Sequence, residues 1–167
     1  MSLPSTDAGS IKYLFNQLLS GRRGSADRLK IALAELAPGD VPSDADVNSN
    51  IARAQSMSPG EYWNAVETGG EWDYKTTRGG RYEDFGNFNF GATCGAVTFS
   101  NTACSAGAGW YQLYQNPKAA EGGPFGPTWG DQAKDQFWIS RGQRYYRTYQ
   151  IETSSWTFLL QQKRRKE

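Results

Sequence analysis

The hydrophobic positions of this chain recur at helical spacing in separate blocks. Ile11, Leu14, Phe15, Leu18 and Leu19 fall at i, i+3, i+4, i+7 and i+8 and are followed by Gly21, which predicts an amphipathic helix with a stop. Residues 25–37 repeat the scheme: Ser25 can cap, Leu29, Leu33 and Leu36 make the stripe, and Pro38-Gly39 ends it. The two are expected to form an αα-hairpin. The polar stretch 40–56 predicts a short helix from about Ala45 to Gln55, capped by Ser43 or Asp44. In "SPGEYWNAVE" the start is better marked, with Ser58 as N-cap, Pro59 at the first helical position and Glu61 completing a capping box. Tyr62, Trp63 and Val66 are then expected to face inward, and Gly69-Gly70 to end the helix.

The pattern weakens after that point. "EWDYKTTRGG" (71–80) alternates charged and aromatic residues between Gly pairs, as a loop or a short hairpin arm would. Residues 84–99 and 105–115 are rich in Gly and Ala; helices are expected over Phe88–Phe99 and Ser105–Gln115, with small residues that let helices approach closely. Residues 116–130, with their prolines and glycines, read as a surface loop. Asp131 is expected to cap a long helix to about Tyr149, with Ala133, Phe137, Trp138, Arg141, Tyr145 and Tyr149 on one stripe and a frayed, solvated tail after it. The expected fold is mainly α, a single compact domain of about six helices with long Gly/Pro-rich loops and at most a small β element. Residues 1–57 form a helical segment, either part of that domain or the end of an upstream module; 58–150 form the core and 151–167 the C-terminal tail.

Charge narrows the function classes. The net charge is +1, composed of −2 over residues 1–70, −1 over 71–130 and +4 over 131–167. A protein that binds duplex nucleic acid through its charge is usually far more basic. No apolar run approaches the roughly 20 residues of a membrane-spanning helix, and "MSLPSTDAGS" has no hydrophobic signal core. A soluble chain without its own export signal is expected, either entire or a fragment of something longer. Cys94 and Cys104 can be two buried thiols or one disulfide.

The chain contains no histidine, which removes Ser-His-Asp and Cys-His hydrolysis and His-paired ribonuclease chemistry. Proton transfer must therefore come from Asp, Glu, Lys, Tyr or Arg-assisted hydroxyls. No cofactor is expected, with a divalent cation on carboxylates left open and no metal site assigned.

Four segments, "GGEWDYK" (69–75), "YEDFGNFNFGAT" (82–93), "GAGWYQ" (107–112) and "WGDQAKDQFWISRGQRYY" (129–146), together resemble the bacterial polymorphic toxin type 44 domain. That pattern has a W-D-Y-K segment, a G-N-F-N-F/Y-G-A-T-G segment, an A-G-x-x-Q segment and a G-D-x-P-x-D-Q ending that closes on a Tyr pair. The matches occur in order over residues 58–146. Cys94 departs from it, standing between the A-T and the Gly95 that the pattern joins; Ala133-Lys134 replaces a Pro-containing turn, and 97–106 is more polar. The resemblance implies the C-terminal toxin module of a secreted or contact-delivered antibacterial effector, with a cognate immunity protein as partner and RNA as substrate. A monomer is expected.

Read by their chemistry, Glu83, Lys75, Asp84 and Asp135 are the candidate catalytic residues. Glu83 beside aromatics can have its pKa raised by desolvation and serve as base. Asp84 can instead cap the next helix, and Glu83 can pair with Arg81 or Arg78. Lys75 or Arg78 would clamp a phosphate, and a second carboxylate or a lysine would act as acid. Asp73, Arg78, Asn87, Asn89, Trp110, Gln112 and Gln136 are candidate substrate contacts. If Asp135 shares a cleft with Glu83, the rival reading is a peptidoglycan-cleaving glycosidase acting in the periplasm, with Trp72, Tyr74, Phe88 and Trp110 as sugar-stacking faces. An RNase would act in the target cytoplasm. A noncatalytic binding module is the third reading.

Overall fold

The computed structural model describes residues 24–97, 100–115 and 131–164, with side chains from Lys30 onward except at 112–115, Glu152 and 155–164. The helix predicted over 10–20 and the loop at 116–130 lie outside these residues. Among them the fold is mainly α, with no strand: α1 Gly24–Leu36, α2 Val47–Ala54, α3 Pro59–Val66, α4 Tyr74–Arg78, α5 Glu83–Cys94, α6 Asn101–Gln115 and α7 Ala133–Arg164. Short 3-10 turns at Gly80–Tyr82 and Gly95–Val97 flank α5. Contacts cluster into two units, residues 37–146 and residues 1–36 with 147–167. In the second, Leu33, Leu36 and Thr148 are buried. The larger unit holds α2 to α6 and the first part of α7.

Local chemistry explains most helix starts. Asp46, not Ser43 or Asp44, caps α2: its backbone is extended and its carboxylate accepts the Ser49 N–H at 2.6 Å. At α3 the capping box forms as the sequence predicts: the Ser58 hydroxyl accepts the Glu61 N–H, and the Glu61 carboxylate accepts the Ser58 N–H at 2.8 Å. The inward face of α3 is Tyr62 and Ala65; Val66 is half-buried and Trp63 stays 50% exposed, contrary to expectation. The segment 71–80 holds no hairpin arm. Asp73 accepts the Thr76 N–H and starts α4, which Gly79 ends at φ 116°, a conformation that glycine adopts without strain.

Helix α5 begins earlier than the sequence suggests, because the turn at Gly80–Tyr82 runs directly into it, and Asp84 sits inside the helix without capping it. Phe85, Phe88, Asn89 and Ala92 lie at i, i+3, i+4 and i+7 and are at most 1% exposed. Phe88 packs edge-on to Tyr145 at 5.4 Å and Phe85 edge-on to Tyr74 at 4.8 Å. Helices α5 and α7 approach closely. A Cβ placed on Gly91 would lie 2.0 Å from the Ile139 carbonyl oxygen, and one on Gly142 would lie 2.0 Å from that of Phe88. The face of α7 that meets α5 is therefore Ile139, Gly142 and Tyr145, with Tyr146 against Gly95; Tyr145 is on the predicted stripe, whereas Phe137, also on it, is 50% exposed.

Cys94 and Cys104 form a disulfide between the end of α5 and the first turn of α6. Of the two cysteine readings, the bonded one holds. A crosslink closing so short a loop should contribute about 2–3 kcal/mol. Reduction, or Cys94→Ser with Cys104→Ser, is expected to lower the urea midpoint accordingly; an unchanged midpoint would show that α6 docks without it.

Candidate active site

The larger unit encloses a cleft of about 570 Å³ between α3, α4, α5, α6 and the start of α7. Titratable groups line it. Glu83, in the first turn of α5, and Asp135, in the first turn of α7, both line it, 52 residues apart in sequence, together with Lys75, Asp73, Asp131 and Glu67.

Glu83 is paired with Lys75 and lies 4.0 Å from the Lys134 ammonium, which also contacts Asp84 at 2.6 Å. These contacts replace the pairing with Arg78 or Arg81. Arg78 turns to Asp44 at 2.9 Å, and the Arg81 guanidinium stacks 4.5 Å over the Tyr82 ring. The Lys75 and Lys134 pKa values rise, chiefly through the hydrogen bonds to Glu83 and Asp84 respectively.

Desolvation acts on Asp135. Half-buried, its carboxyl is pushed up to about 6 by burial first and then by the charges of Asp131 and Glu83, with Lys75 and Lys134 opposing. Asn87 donates to Asp135 Oδ1 at 2.8 Å and fixes its orientation. Asp131, buried next to it, accepts the Gln132 N–H and the Gln136 amide, each at 2.9 Å. Helix α7 itself starts at Ala133. The arrangement places a carboxyl able to carry a proton near neutral pH beside a carboxylate held in ion pairs.

The other predicted site residues divide. Asp73 lines the cleft, but its carboxylate is used by the N–H groups of Gly69 and Thr76. Asn87 and Asn89 both line the cleft but separate on the helix: Asn87 serves Asp135, while Asn89 is fully buried and accepts from Asn50 Nδ2 at 2.8 Å. Gln136 bridges Asp131 and the Ser105 carbonyl, a structural role. Trp110 is 59% exposed and Phe88 lies in the core; neither lines the cleft. The side chain of Gln112 lies outside the described residues. Trp72 and Tyr74 line the cleft but are buried on its wall.

Sequence reasoning missed Trp63, Tyr111 and Glu67, which also line the cleft. The helical pattern places Trp63 in the core beside Tyr62; only the position of α6, which brings Tyr111 against it, shows that it faces the opening. No group of three or more Cys, Asp or Glu converges to hold a metal ion among the described residues.

Residues 78–148 match the family described as bacterial toxin 44, in agreement with the resemblance read from the sequence motifs. No curated protein and no solved structure matches the chain. The matched segment contains Glu83, Asp84, Asn87 and Asp135, whereas Trp63, Trp72, Asp73 and Lys75 precede it. No helix among the described residues is long and apolar enough to cross a membrane.

Proposed function

We propose that this chain, whose residues 78–148 match the bacterial toxin 44 family, is an antibacterial toxin that hydrolyses the glycan of peptidoglycan. The observation that carries this reading is the pairing in one cleft of Asp135, with its pKa raised to about 6, and the ion-paired Glu83. Glycosidases work with such a pair: one carboxylic acid protonates the leaving oxygen while the other, as carboxylate, faces the anomeric carbon. Asp135 gives its proton to the glycosidic oxygen as the carbon–oxygen bond breaks and the electron pair stays on that oxygen. Glu83 stabilises the positive charge that develops at the anomeric carbon. Water then supplies the oxygen that bonds to this carbon, and its proton returns to a carboxylate.

Charge favours this substrate over RNA. Glu67, Asp73, Glu83, Asp131 and Asp135 line the cleft against Lys75 alone among the described lining residues. A polyanion entering such a cleft meets like charge, while a neutral glycan does not. The Cys94–Cys104 disulfide also suits an oxidising space such as the periplasm. The match to a toxin family supports, within this proposal, delivery to a target cell and neutralisation by an immunity protein.

Purified domain incubated in parallel with peptidoglycan sacculi and with total RNA tests the proposal. Sacculi are expected to be solubilised and RNA left intact; RNA degradation with intact sacculi would reject it. Glu83→Gln should lower the sacculus rate by at least about 100-fold, the usual scale for a carboxylate in this role. Circular dichroism would confirm that this variant folds.

A further inference from the structure

Resting on the glycan reading, we infer that Trp63 is a stacking platform for a neutral sugar ring at the end of the cleft formed by α3 and α6. Trp63 lines the cleft yet leaves half of its surface in solvent. A large aromatic ring is normally buried, since removing its area from water is favourable by several kcal/mol. Here Tyr62, its neighbour on α3, takes the inward position, which leaves Trp63 facing the opening.

The platform is held in place. Tyr111 from α6 packs edge-on to Trp63 with ring centroids 5.6 Å apart and planes at 80°. The Tyr111 hydroxyl is in turn fixed at 2.8 Å by the Thr68 backbone N–H and at 2.6 Å from the Thr68 hydroxyl. This contact leaves half of the Trp63 surface open, and an oriented ring loses little conformational entropy when a ligand stacks on it.

The surroundings select the kind of ring. Glu67 lines the cleft one turn of α3 away, and Asp73 lines the same wall. No lysine or arginine of the described lining residues other than Lys75 is present to take a phosphate. A nucleotide could stack on Trp63 only with its phosphates near these carboxylates. A pyranose presents an apolar C–H face to the indole and neutral hydroxyls to the carboxylates.

Trp63 lies outside the matched segment 78–148, which holds Glu83 and Asp135. Bond cleavage and ring selection thus reside in different stretches of the chain, and Trp63 acts in binding rather than in proton transfer.

Binding of the N-acetylglucosamine tetramer to the Asp135→Asn protein, measured by calorimetry, tests this directly. Trp63→Ala in that background is expected to weaken binding about tenfold or more, while Trp63→Phe keeps most of the affinity. In the protein with Asp135 intact, Trp63→Ala should raise the sacculus concentration for half-maximal rate and leave the maximal rate within about twofold. Unchanged tetramer affinity in a folded Trp63→Ala protein, or no tetramer binding to Asp135→Asn, would overturn the platform. Sacculus cleavage by the wild-type chain would then still stand; absence of both binding and cleavage would overturn the glycan reading as well.

Discussion

Asp135→Asn is expected to abolish glycan cleavage, by about 100- to 10,000-fold, while making the folded protein more stable at neutral pH. Both effects come from the same burial. In the folded chain the Asp135 carboxyl keeps its proton up to about pH 6, whereas the ordinary aspartate value is 3.8. Between those values the folded state binds a proton that the unfolded state has released, so stability falls as pH rises from about 4 to about 6. Above that range the cost of the buried charge is fully present. The amide removes that cost and can still accept the Asn87 hydrogen bond at Oδ1. Allowing for the solvent that reaches the half-buried group, the gain at pH 7.5 should be on the order of 1 kcal/mol. It should vanish below about pH 4, where both forms are neutral. Chemical denaturation of the two proteins at pH 4 and pH 7.5 would measure it; equal midpoints at pH 7.5 would mean that Asp135 is not desolvated. Cleavage by the parent protein should decline as pH rises through about 6, because the acid form is lost.

Gly142→Ala is expected to be among the most damaging single-methyl changes in the larger unit, together with Gly91→Ala. The added Cβ would lie 2.0 Å from the Phe88 carbonyl oxygen and 2.7 Å from the Ala92 nitrogen. Both are backbone atoms of α5, so no rotamer change relieves the overlap and the helices must separate. Separation loosens the packing around Phe88 and Ile139, both essentially fully buried. A loss of about 3 kcal/mol or more is expected, which corresponds to roughly 6–12 °C in Tm for a chain of this length. Gly107→Ala is the contrasting case: no atom lies within 4 Å of its Cβ position, the site is exposed and helical, and the change should be neutral or slightly stabilising. Equal Tm shifts for the two would contradict the crossing geometry. Because α5 carries Glu83 and α7 carries Asp135, separation should also lower cleavage.

Residues whose partners are a few positions away were legible in the sequence. The capping box at Ser58 and Glu61 is local chemistry and appears as written. Starts without such a signal were placed less well: α5 begins at Glu83, not Phe88, because the preceding 3-10 turn leads into it, and nothing in "GGRYED" marks that turn. The crossing of α5 and α7 was half-visible. Small residues announced a close approach, but the pairing of Gly91 with Ile139 and of Gly142 with Phe88 is a tertiary fact.

The candidate site divides along the same line. With no histidine in the chain, proton transfer falls to its carboxylates, Glu83 and Asp135 among them. The raised pKa of Asp135 comes from its burial first and then from the charges of Asp131 and Glu83, and Glu83 reaches it from a helix distant in sequence. Arg78 and Trp110 carried suitable chemistry in the sequence but point away from the cleft, one toward Asp44 and the other toward solvent. Trp63 was hidden for the opposite reason, since helical periodicity assigns an aromatic beside Tyr62 to the core.

The most direct test of the central claim is the appearance of new reducing ends when purified sacculi are treated at about pH 5.5 with the wild-type, Glu83→Gln and Asp135→Asn proteins. Reducing ends should accumulate with the wild-type protein alone, at a rate at least about 100-fold above either variant. Solubilisation without new reducing ends, or equal rates in all three proteins, would contradict glycan hydrolysis by this pair of carboxyl groups.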